Sequence, residues 1–523
     1  MSLMILLVGA MGCGGGNVGP APADPGPCAL STTQFATGVA TRTFHLACGE
    51  LLLNQFEVES SGPLRIELFT DGQRVIPSLT ADAGDVTFSA MTLTGTWTLQ
   101  GSGPVTAWVL DESGGGGGAV AGGGSSHWAG GVGRPGGPAL LIGAHSAWQS
   151  AFHVALDPDG VAVVTWGGTG EEIAVRDGQT LFLDPLFLAV GPDNDAVWSA
   201  WADAVSIPIA SDADPDPPPV SWELPDDDHA AVLAALPELV QALIVPDLSA
   251  SAAADIAGQG VIPGAVLAPF LVARDAPIFG ENPDWWVRGF DGEELDWDGA
   301  AIVDASHPEA AAWLAQRVGD VVAAGAEVVV LAQLSAGAVP GLRREQQPGV
   351  VAYRQGLQAL VGAAGDATVI ARDAPVLPSV GLVGAAGGSP ALAFANGRWW
   401  WNDAGPLALD EAPEDVARGA LTAMLVTGGA YSIGGTAADV GSAAAERALD
   451  AALIALRRGT AVPTAGASQP AVSTWALDDG HTALLNQSDS PATLDAPDGN
   501  ELFSGGVGGG ARTLAPGAGE VWH

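Results

Sequence analysis

Lysine is missing from this sequence. All 18 basic side chains among the 523 residues are arginine, against 59 acidic ones, which gives a formal net charge of −41. Without lysine the chain forms no Schiff base and supplies neither a P-loop lysine nor a lysine general base. Scarce positive charge also argues against electrostatic docking on anionic lipid and against nucleic acid, whose phosphates need a basic face. We therefore expect no nucleic-acid partner.

Cysteine and long apolar runs are scarce too. A short apolar run at residues 3–8 leads through Ala10, Met11 and Gly12 to Cys13, an order typical of a bacterial lipoprotein signal. The run is too short to span a bilayer as a helix. We expect lipidation of Cys13 and a place in the bacterial cell envelope, in the outer membrane or facing the periplasm, with membrane contact through the lipid anchor only. A misassigned start codon or a cytosolic chain is the alternative.

The other two cysteines, Cys28 and Cys48, form an even pair in a segment rich in threonine and glycine. In an oxidising envelope compartment this pair predicts one disulfide. Two cysteines so placed are too few for a metal site, and the eight histidines are scattered without H-E-x-x-H spacing. We therefore assign no metal and no cofactor.

Composition and turn signals divide the chain. With 48% apolar and only 15% charged residues the chain can build a sizeable core, and its length suggests about two to four domains. After a signal and linker at residues 1–27, short β-rich runs predict an N-terminal β-sandwich domain at residues 28–210. An acidic, proline-rich linker follows at residues 211–219. A G-x-G-x-x-G match at residues 131–136 follows a flexible loop and not a strand, so we do not interpret it as a dinucleotide site.

Beyond the linker, strands alternate with helices, as in parallel βα units. Helical spacing of apolar residues marks residues 227–241, 308–324, 351–364, 412–426 and 437–457. The strand candidates are VSWEL, ALIVPD, AVLAPFLV, EVVVLAQL, ATVIARDA, GLVGAAGG, WWWND and AYSIGG. Eight such repeats predict a (β/α)8 TIM barrel at residues 220–458. Residues 459–523 return to β-runs and predict a small C-terminal β-sandwich, which completes a multidomain chain.

Barrels of this kind place functional side chains at the C-terminal ends of their strands. Polar residues at those positions are Asp247, Gln333, Asp373, Asn402 and Asp403, and the nearby tryptophans are Trp285, Trp286, Trp399, Trp400 and Trp401. Aromatic rings beside carboxylates and amides suit sugars, whose C–H faces pack on rings while their hydroxyls take hydrogen bonds. The alternative is that the tryptophans fill gaps between the barrel and its neighbours.

Five blocks within residues 260–410 carry a family resemblance: PGAVLAPFLVARDAPIFGENPDWWVR (residues 263–288), VDASHPEAAAWL (303–314), AGAVPGLRR (336–344), APVLPSVGLV (374–383) and GRWWWNDAGPL (397–407). In sequence, order and spacing these blocks resemble family 36 glycoside hydrolases, the bacterial α-galactosidases. SWE at residues 221–223 and the tail ALLNQSDSPATL fit more loosely. The resemblance implies a β-supersandwich, a catalytic barrel and a C-terminal β-domain, together with a galactoside ligand.

The catalytic positions of that family are not preserved. Its nucleophile is an aspartate at the end of the fourth barrel strand, two residues after a lysine; the alignment places Ala332 at the aspartate and Val330 at the lysine. Its acid/base aspartate follows an arginine, and these positions hold Ala391 and Gly387. An alanine methyl can neither form a glycosyl ester nor transfer a proton. The resemblance therefore implies the scaffold and not the reaction.

The second strand of the family carries an Asp-Asp pair that holds galactose hydroxyls. Only Asp247 of that pair remains here, and the loop at residues 249–264 is shorter than usual. Asp373 follows Arg372, which stands where the family usually has a small or thiol side chain, and this predicts an ion pair between the two that fills the vacated pocket. The complete set of candidate pocket residues is Trp222, Asp247, Arg372, Asp373, Trp401, Asn402 and Asp403.

Three functions stay open from the residues. The first is an inactive α-galactosidase relative that binds carbohydrate or acts as an envelope interaction module. The second is an active glycosidase rebuilt on Asp247, Asp373 and Asp403. The third is a purely structural lipoprotein.

Overall fold

A computed structural model provides the coordinates. It describes residues 29–523 with gaps, which fall at residues 31–33, 37–41, 49–50, 71–73, 111–116, 121–123, 135, 158, 206–216, 226–228, 389, 409–413, 457–461, 466–471, 478–479, 489 and 505. Cys13 and Cys28 lie outside the described residues, and Cys48 ends the strand Arg42–Cys48. Lipidation of Cys13 and the disulfide between Cys28 and Cys48 therefore stay predictions. Most of the predicted linker at residues 211–219 also falls in a gap.

The N-terminal part forms two antiparallel sheets, called here the N-terminal sheets. Buried residues alternate with less buried ones along strand Val86–Trp97, so Phe88 faces inward. The first sheet contains Ala29–Leu30, Arg42–Cys48, Leu51–Ser60, Val86–Trp97, Val161–Gly167, Phe152–Asp157, Gly124–Ser126 and Ile173–Val175. The second contains Gln34–Ala36, Arg65–Thr70, Arg74–Thr80, Leu186–Gly191, Ala139–Ala144, Ala129–Gly133, Thr106–Leu110, Gly117–Val120 and Thr180–Phe182. Residues 131–133 of the glycine motif thus lie in an antiparallel strand.

Eight parallel strands close into a barrel at the centre of the chain. In chain order these first to eighth barrel strands are Ser221–Glu223, Ala242–Val245, Ile262–Leu267, Val328–Leu331, Thr368–Ala371, Ala385–Gly387, Trp401–Ala408 and Ala430–Gly434. Each overlaps one of the strands predicted from sequence. A barrel-containing, multidomain fold is thereby confirmed, while the exact domain boundaries stay predictions.

Alternate residues of each barrel strand face opposite sides. The interior core consists of Ala242, Ile244, Val328, Val330, Ile370 and Ala385, with Trp401 packed against it. Their strand neighbours, such as Leu243 and Val329, belong to a separate cluster outside the barrel. The opening of the barrel at the C-terminal ends of the strands is called here the mouth. Interior side chains recur every second residue along a strand, so the one that follows this interior core lies nearer the mouth. Ala332, Arg372, Gly387 and Asp403 therefore share the mouth level.

Helices follow several of the barrel strands. The described helices are Asn194–Val205, His229–Leu233, Ala250–Gly258, Pro277–Glu281, Pro308–Ala323, Gly349–Ala364, Val376–Ser379, Glu414–Thr427 and Ala443–Leu456, with 3-10 turns Leu334–Ala338 and Pro390–Ala395. The helix predicted at residues 227–241 is described only over His229–Leu233, because Pro237 has no N–H to continue it. The segment interpreted as a loop at residues 249–264 contains the helix Ala250–Gly258, whose first turn is capped when Ser249 Oγ accepts from Ala252 N at 3.2 Å.

Two smaller β-regions complete the described fold. Strands Leu271–Ala273, Asp296–Trp297 and Ala300–Ile302 form a sheet between the third and fourth barrel strands. After the barrel, Val462–Ala465, Val472–Ala476, Thr482–Asn486 and Gly519–Trp522 form a four-stranded sheet, and Ala492–Ala496 pairs with Gly510–Leu514. Within the described residues, no helix has both the length and the apolar character needed to cross a bilayer.

Candidate functional site

Arg372 follows the fifth barrel strand and reaches three other strands. Its Nε donates to Oδ2 of Asp403 on the seventh strand at 2.6 Å, and its Nη2 lies 2.5 Å from Oε1 of Glu223 on the first strand. Nη2 also donates to Oγ of Ser432 on the eighth strand at 3.0 Å. The first and fifth strands lie opposite each other in a closed barrel of eight. The guanidinium therefore crosses the barrel axis and fills the centre of the mouth.

The side chains of this cluster are buried and carry opposite charges. The Asp403 side chain is 0% exposed, and those of Arg372 and Glu223 are 11% and 12% exposed. Burial by itself lowers the pKa of Arg372, but the charges of Asp403 and Glu223 outweigh it and raise the pKa overall. Oγ of Ser432 lies 2.8 Å from Oγ of Ser221. We call these five side chains the Arg372 network; it carries two negative charges and one positive charge.

The predicted ion pair between Arg372 and Asp373 is wrong. Within the described residues Arg372 pairs with Asp403 and Glu223 instead. The reason is local backbone geometry: Asp373 has φ 50°, which turns the chain at the end of the strand and leaves the Asp373 side chain exposed while Arg372 points inward. Glu223 was not among the candidate residues, although it belongs to the SWE match; its partner on the opposite strand could not be identified from sequence.

The positions matched to the family's catalytic residues lie at or near the same mouth. Ala332 follows the fourth barrel strand, and its N–H donates to the Leu267 carbonyl at 2.7 Å. Gly387 ends the sixth barrel strand and is in register with Asp403. Ala391 lies in the 3-10 turn Pro390–Ala395. None of these three residues has a side chain that can attack carbon or transfer a proton.

Three of the polar strand-end residues are exposed at the mouth: Asp247 after the second strand, Gln333 after the fourth and Asp373 after the fifth. Gln333 and Asp373 both have positive φ, 52° and 50°. A left-handed backbone costs about 1–2 kcal/mol for a residue with a Cβ atom. These two residues thus combine exposure with backbone strain.

Trp222 and Asn402 lie elsewhere, which corrects their assignment to the pocket. Since Ser221 and Glu223 point into the barrel, Trp222 between them points outward; it is 0% exposed and its Nε1 donates to the Gly435 carbonyl at 2.9 Å. The side-chain nitrogen of Asn402 donates to two backbone carbonyls at 3.0 and 3.1 Å, and its Oδ1 accepts from Trp400 Nε1 at 3.0 Å. Both residues stabilise packing around the barrel.

The tryptophans do not form the expected broad surface. Trp285, Trp286, Trp399 and Trp400 are all buried. Trp399 packs edge-on against Trp201 with ring centroids 5.2 Å apart, and its Nε1 donates to the Ala202 carbonyl at 2.8 Å. These four side chains therefore fill gaps, as the alternative interpretation stated. Trp401 alone of the five is partly exposed, at the inner wall of the barrel.

Glu171, which precedes strand Ile173–Val175 of the N-terminal sheets, contacts the segment that follows the fourth barrel strand. Glu171 Oε1 accepts from Gly349 N at 2.7 Å and from Gly341 N at 3.3 Å, and lies 3.2 Å from Nη1 of Arg343. The Arg343 side chain is 0% exposed, and its Nη2 donates to the Val339 carbonyl at 2.6 Å. Burial raises the pKa of Glu171, an effect that the Arg343 charge partly offsets. Sequence reasoning missed this pair, because no local pattern links residue 171 to residue 343.

The fold and the site define a barrel protein: a closed parallel barrel, preceded and followed in the chain by β-sheets, with Arg372, Glu223 and Asp403 in contact at the C-terminal ends of its strands. No protein-family model matches the sequence. Solved α-galactosidases nevertheless share the fold. A variant of the family 36 enzyme AgaA from Geobacillus stearothermophilus, in complex with stachyose, superposes with a TM-score of 0.60 at 10% identity, over 95% of this chain and 88% of that one.

Two further α-galactosidases give similar values. The enzyme from Lactobacillus brevis has a TM-score of 0.58 at 9% identity, over 91% of this chain and 81% of that one. The galactosidase domain of an α-galactosidase–sucrose kinase has a TM-score of 0.58 at 11% identity, over 92% and 82%. The predicted resemblance to the family 36 fold is confirmed. Likeness at such low identity concerns the fold alone.

Proposed function

We propose that this chain is a carbohydrate-binding relative of the α-galactosidases that does not hydrolyse glycosides. The observation that carries the proposal is the Arg372 network, which fills the barrel centre while Ala332 and Ala391 stand at the positions matched to the catalytic carboxylates. Carbohydrate as the ligand class is supported by the structural neighbours: variants of AgaA were solved in complex with raffinose and with stachyose.

The chemistry of the mouth supports binding without hydrolysis. Retaining glycosidases need two carboxylates about 5–5.5 Å apart, one to attack the anomeric carbon and one to protonate the leaving oxygen. Glu223 and Asp403 are both held by Arg372, and Asp403 has no exposed side-chain surface. A nucleophile must reach the sugar, and a general acid must gain and lose a proton. Carboxylates paired with one buried guanidinium are poorly suited to either role.

We expect galactose, raffinose or stachyose to release heat on titration into the full-length protein at millimolar concentration. The same protein should release no nitrophenol from a panel of nitrophenyl α- and β-glycosides. A denatured sample gives the calorimetric blank. Absence of heat with every saccharide would contradict carbohydrate binding and favour a purely structural role.

Measured nitrophenol release would instead favour a glycosidase rebuilt on other carboxylates. The observation in favour of that second function is the exposure of Asp247 and Asp373 at the mouth. Release should then disappear in Asp373→Ala or Asp403→Ala. If turnover persists in both variants, the rebuilt site is wrong as well.

We further propose that the protein is anchored to the bacterial cell envelope through a lipid on Cys13. The motivating pattern is the short apolar run at residues 3–8 ahead of Cys13. In bacterial cells given radiolabelled palmitate, the wild-type protein should become labelled and sediment with membranes. Cys13→Ala should lose both properties, whereas Cys48→Ala should keep them. Unlabelled wild-type protein would contradict the anchor.

A further inference from the structure

His307 is a buried histidine that lies outside the Arg372 network. Its side chain is 4% exposed, and it is the N-cap residue of helix Pro308–Ala323. This helix joins the third barrel strand to the fourth, so its N-terminal end lies on the side of the mouth. The ring of Trp285 packs against the imidazole, with ring centroids 6.0 Å apart. An imidazole changes its charge between about pH 5 and 8, so the contacts of His307 can depend on pH.

Both ring nitrogens of His307 face an N–H group. Nδ1 accepts from Glu309 N at 3.2 Å, and Nε2 lies 2.7 Å from Nη1 of Arg344. A neutral imidazole has one bare nitrogen that can accept a hydrogen bond, and a protonated imidazole has none. Asp284 Oδ2 lies 3.2 Å from Nε2 and can accept from it. Protonation therefore favours the contact with Asp284, removes the acceptor for Glu309 N and Arg344, and brings two cations together.

Arg344 belongs to a loop that is held against the segment containing His307. We call residues 339–348, which follow the fourth barrel strand, the fourth-strand loop. Arg344 N donates to Asp304 Oδ2 at 2.7 Å, and Glu345 N donates to Ser306 Oγ at 3.2 Å. These two hydrogen bonds join the backbone of the loop to the residues just before His307. The charge on the imidazole and the position of the loop are thus coupled through Arg344.

We propose that protonation of His307 releases the fourth-strand loop from residues 304–307, which gives the side of the mouth a pH-dependent opening. The ring binds a proton more favourably once Arg344 has moved away, so acid shifts the equilibrium towards the released loop. Asp284 contacts both cations, since it also lies 3.6 Å from Nη1 of Arg344. Asp284 is nearer to the imidazole and pairs with the protonated ring. Arg344, whose side chain is 51% exposed, then turns to solvent.

Two further carboxylates come from the chain on either side of the ring. Glu309 is exposed and contacts the ring through its backbone N–H. Asp304 is 1% exposed, and its two oxygens accept from the backbone N–H groups of Ser306 and Arg344. Neither carboxylate replaces the acceptor that protonation removes. The buried pair of Arg343 and Glu171 holds the loop independently of His307, so the expected release is local.

Hydrogen exchange of peptides that cover the fourth-strand loop in the full-length protein tests this proposal. From pH 8 to pH 6, the protection of the loop, corrected for intrinsic exchange rates, should fall about tenfold. Peptides from the fourth barrel strand, Val328–Leu331, should keep their protection. His307→Asn should abolish the difference between the two pH values, because asparagine caps a helix and does not titrate. His229→Asn is the matched control: His229 lies 3.9 Å from Asp255 Oδ2, and this variant should keep the tenfold difference.

Arg344→Gln separates charge from packing. A glutamine amide can offer its nitrogen to the neutral ring and its oxygen to the protonated ring, so the loop should be equally protected at both pH values. Equal protection of the wild-type loop at pH 8 and pH 6 would overturn the proposal. A difference that persists in His307→Asn would also overturn it, because it would assign the effect to another group such as Glu171, whose pKa is raised by burial. Loss of the difference in His229→Asn would contradict the assignment to His307.

Discussion

Replacing Arg372 by methionine is expected to lower the free energy of unfolding of the barrel by about 3–5 kcal/mol, the typical loss when a buried ion pair loses one partner. Methionine fills much of the same volume but leaves Glu223 and Asp403 as buried carboxylates without a cation. Hydrogen-exchange protection of the fifth and seventh barrel strands measures the effect within the barrel itself.

Two further variants separate charge from shape. Adding Glu223→Gln and Asp403→Asn to Arg372→Met removes both uncompensated charges, and should recover most of the lost protection. Arg274→Met is the matched control, because Arg274 also faces two carboxylates, those of Glu294 and Asp296, but its side chain is 34% exposed. We expect its effect to be about 0–1 kcal/mol. Equal losses at Arg274 and Arg372 would contradict a special role for the buried network.

Replacing Arg343 by methionine is expected to have the second large effect, again about 3–5 kcal/mol near neutral pH. Glu171 would then be buried without its cation, beside the backbone N–H groups of Gly341 and Gly349. Burial lowers the pKa of Arg343 and raises that of Glu171, so both members are charged at a cost. Replacing both, as Arg343→Met with Glu171→Gln, should therefore restore most of the stability, as read from urea unfolding at pH 7.

The pH dependence of Arg343→Met follows from the raised pKa of Glu171. A carboxyl whose folded-state pKa is raised contributes stability below its unfolded pKa, and this contribution is lost as pH rises through the folded pKa. Without Arg343 the pKa of Glu171 rises further, so the variant should regain stability as pH falls from 7 towards the ordinary glutamate range. Arg344→Met, at a side chain 51% exposed, should show little loss. A loss that is constant with pH would contradict uncompensated charge on Glu171.

Much of the fold follows from local patterns. Runs such as EVVVLAQL and ATVIARDA are short, apolar and followed by helical spacing, and each contains a barrel strand where predicted. The predicted helix bounds were wrong where a single residue overrides the apolar periodicity. Pro237 limits the helix expected at residues 227–241, and Ser249 caps a helix in a segment interpreted as a loop. Capping and proline effects are single-residue events that periodicity does not detect.

The candidate site was predicted only in part. Asp247, Asp373 and Asp403 were named from strand ends, and Arg372 from the family resemblance. The structure places all four at the C-terminal end of the barrel, because carboxyl ends of parallel strands share an edge. Glu223, which pairs with Arg372 across the barrel, could not be named from the sequence. Trp222 and Asn402 were assigned to the pocket although each alternates with residues that point into the barrel. The side of a strand that faces inward becomes clear only when the barrel closes.

The sequence by itself determined the absence of lysine, the large excess of acidic residues and the order of the barrel strands. Each of these is a property of single positions or of local spacing. The tertiary structure decided that Arg372 pairs with Glu223 and Asp403, and that Glu171 supports Arg343. These contacts join residues far apart in the chain, and they depend on barrel closure and strand register, which bring distant side chains within hydrogen-bonding distance.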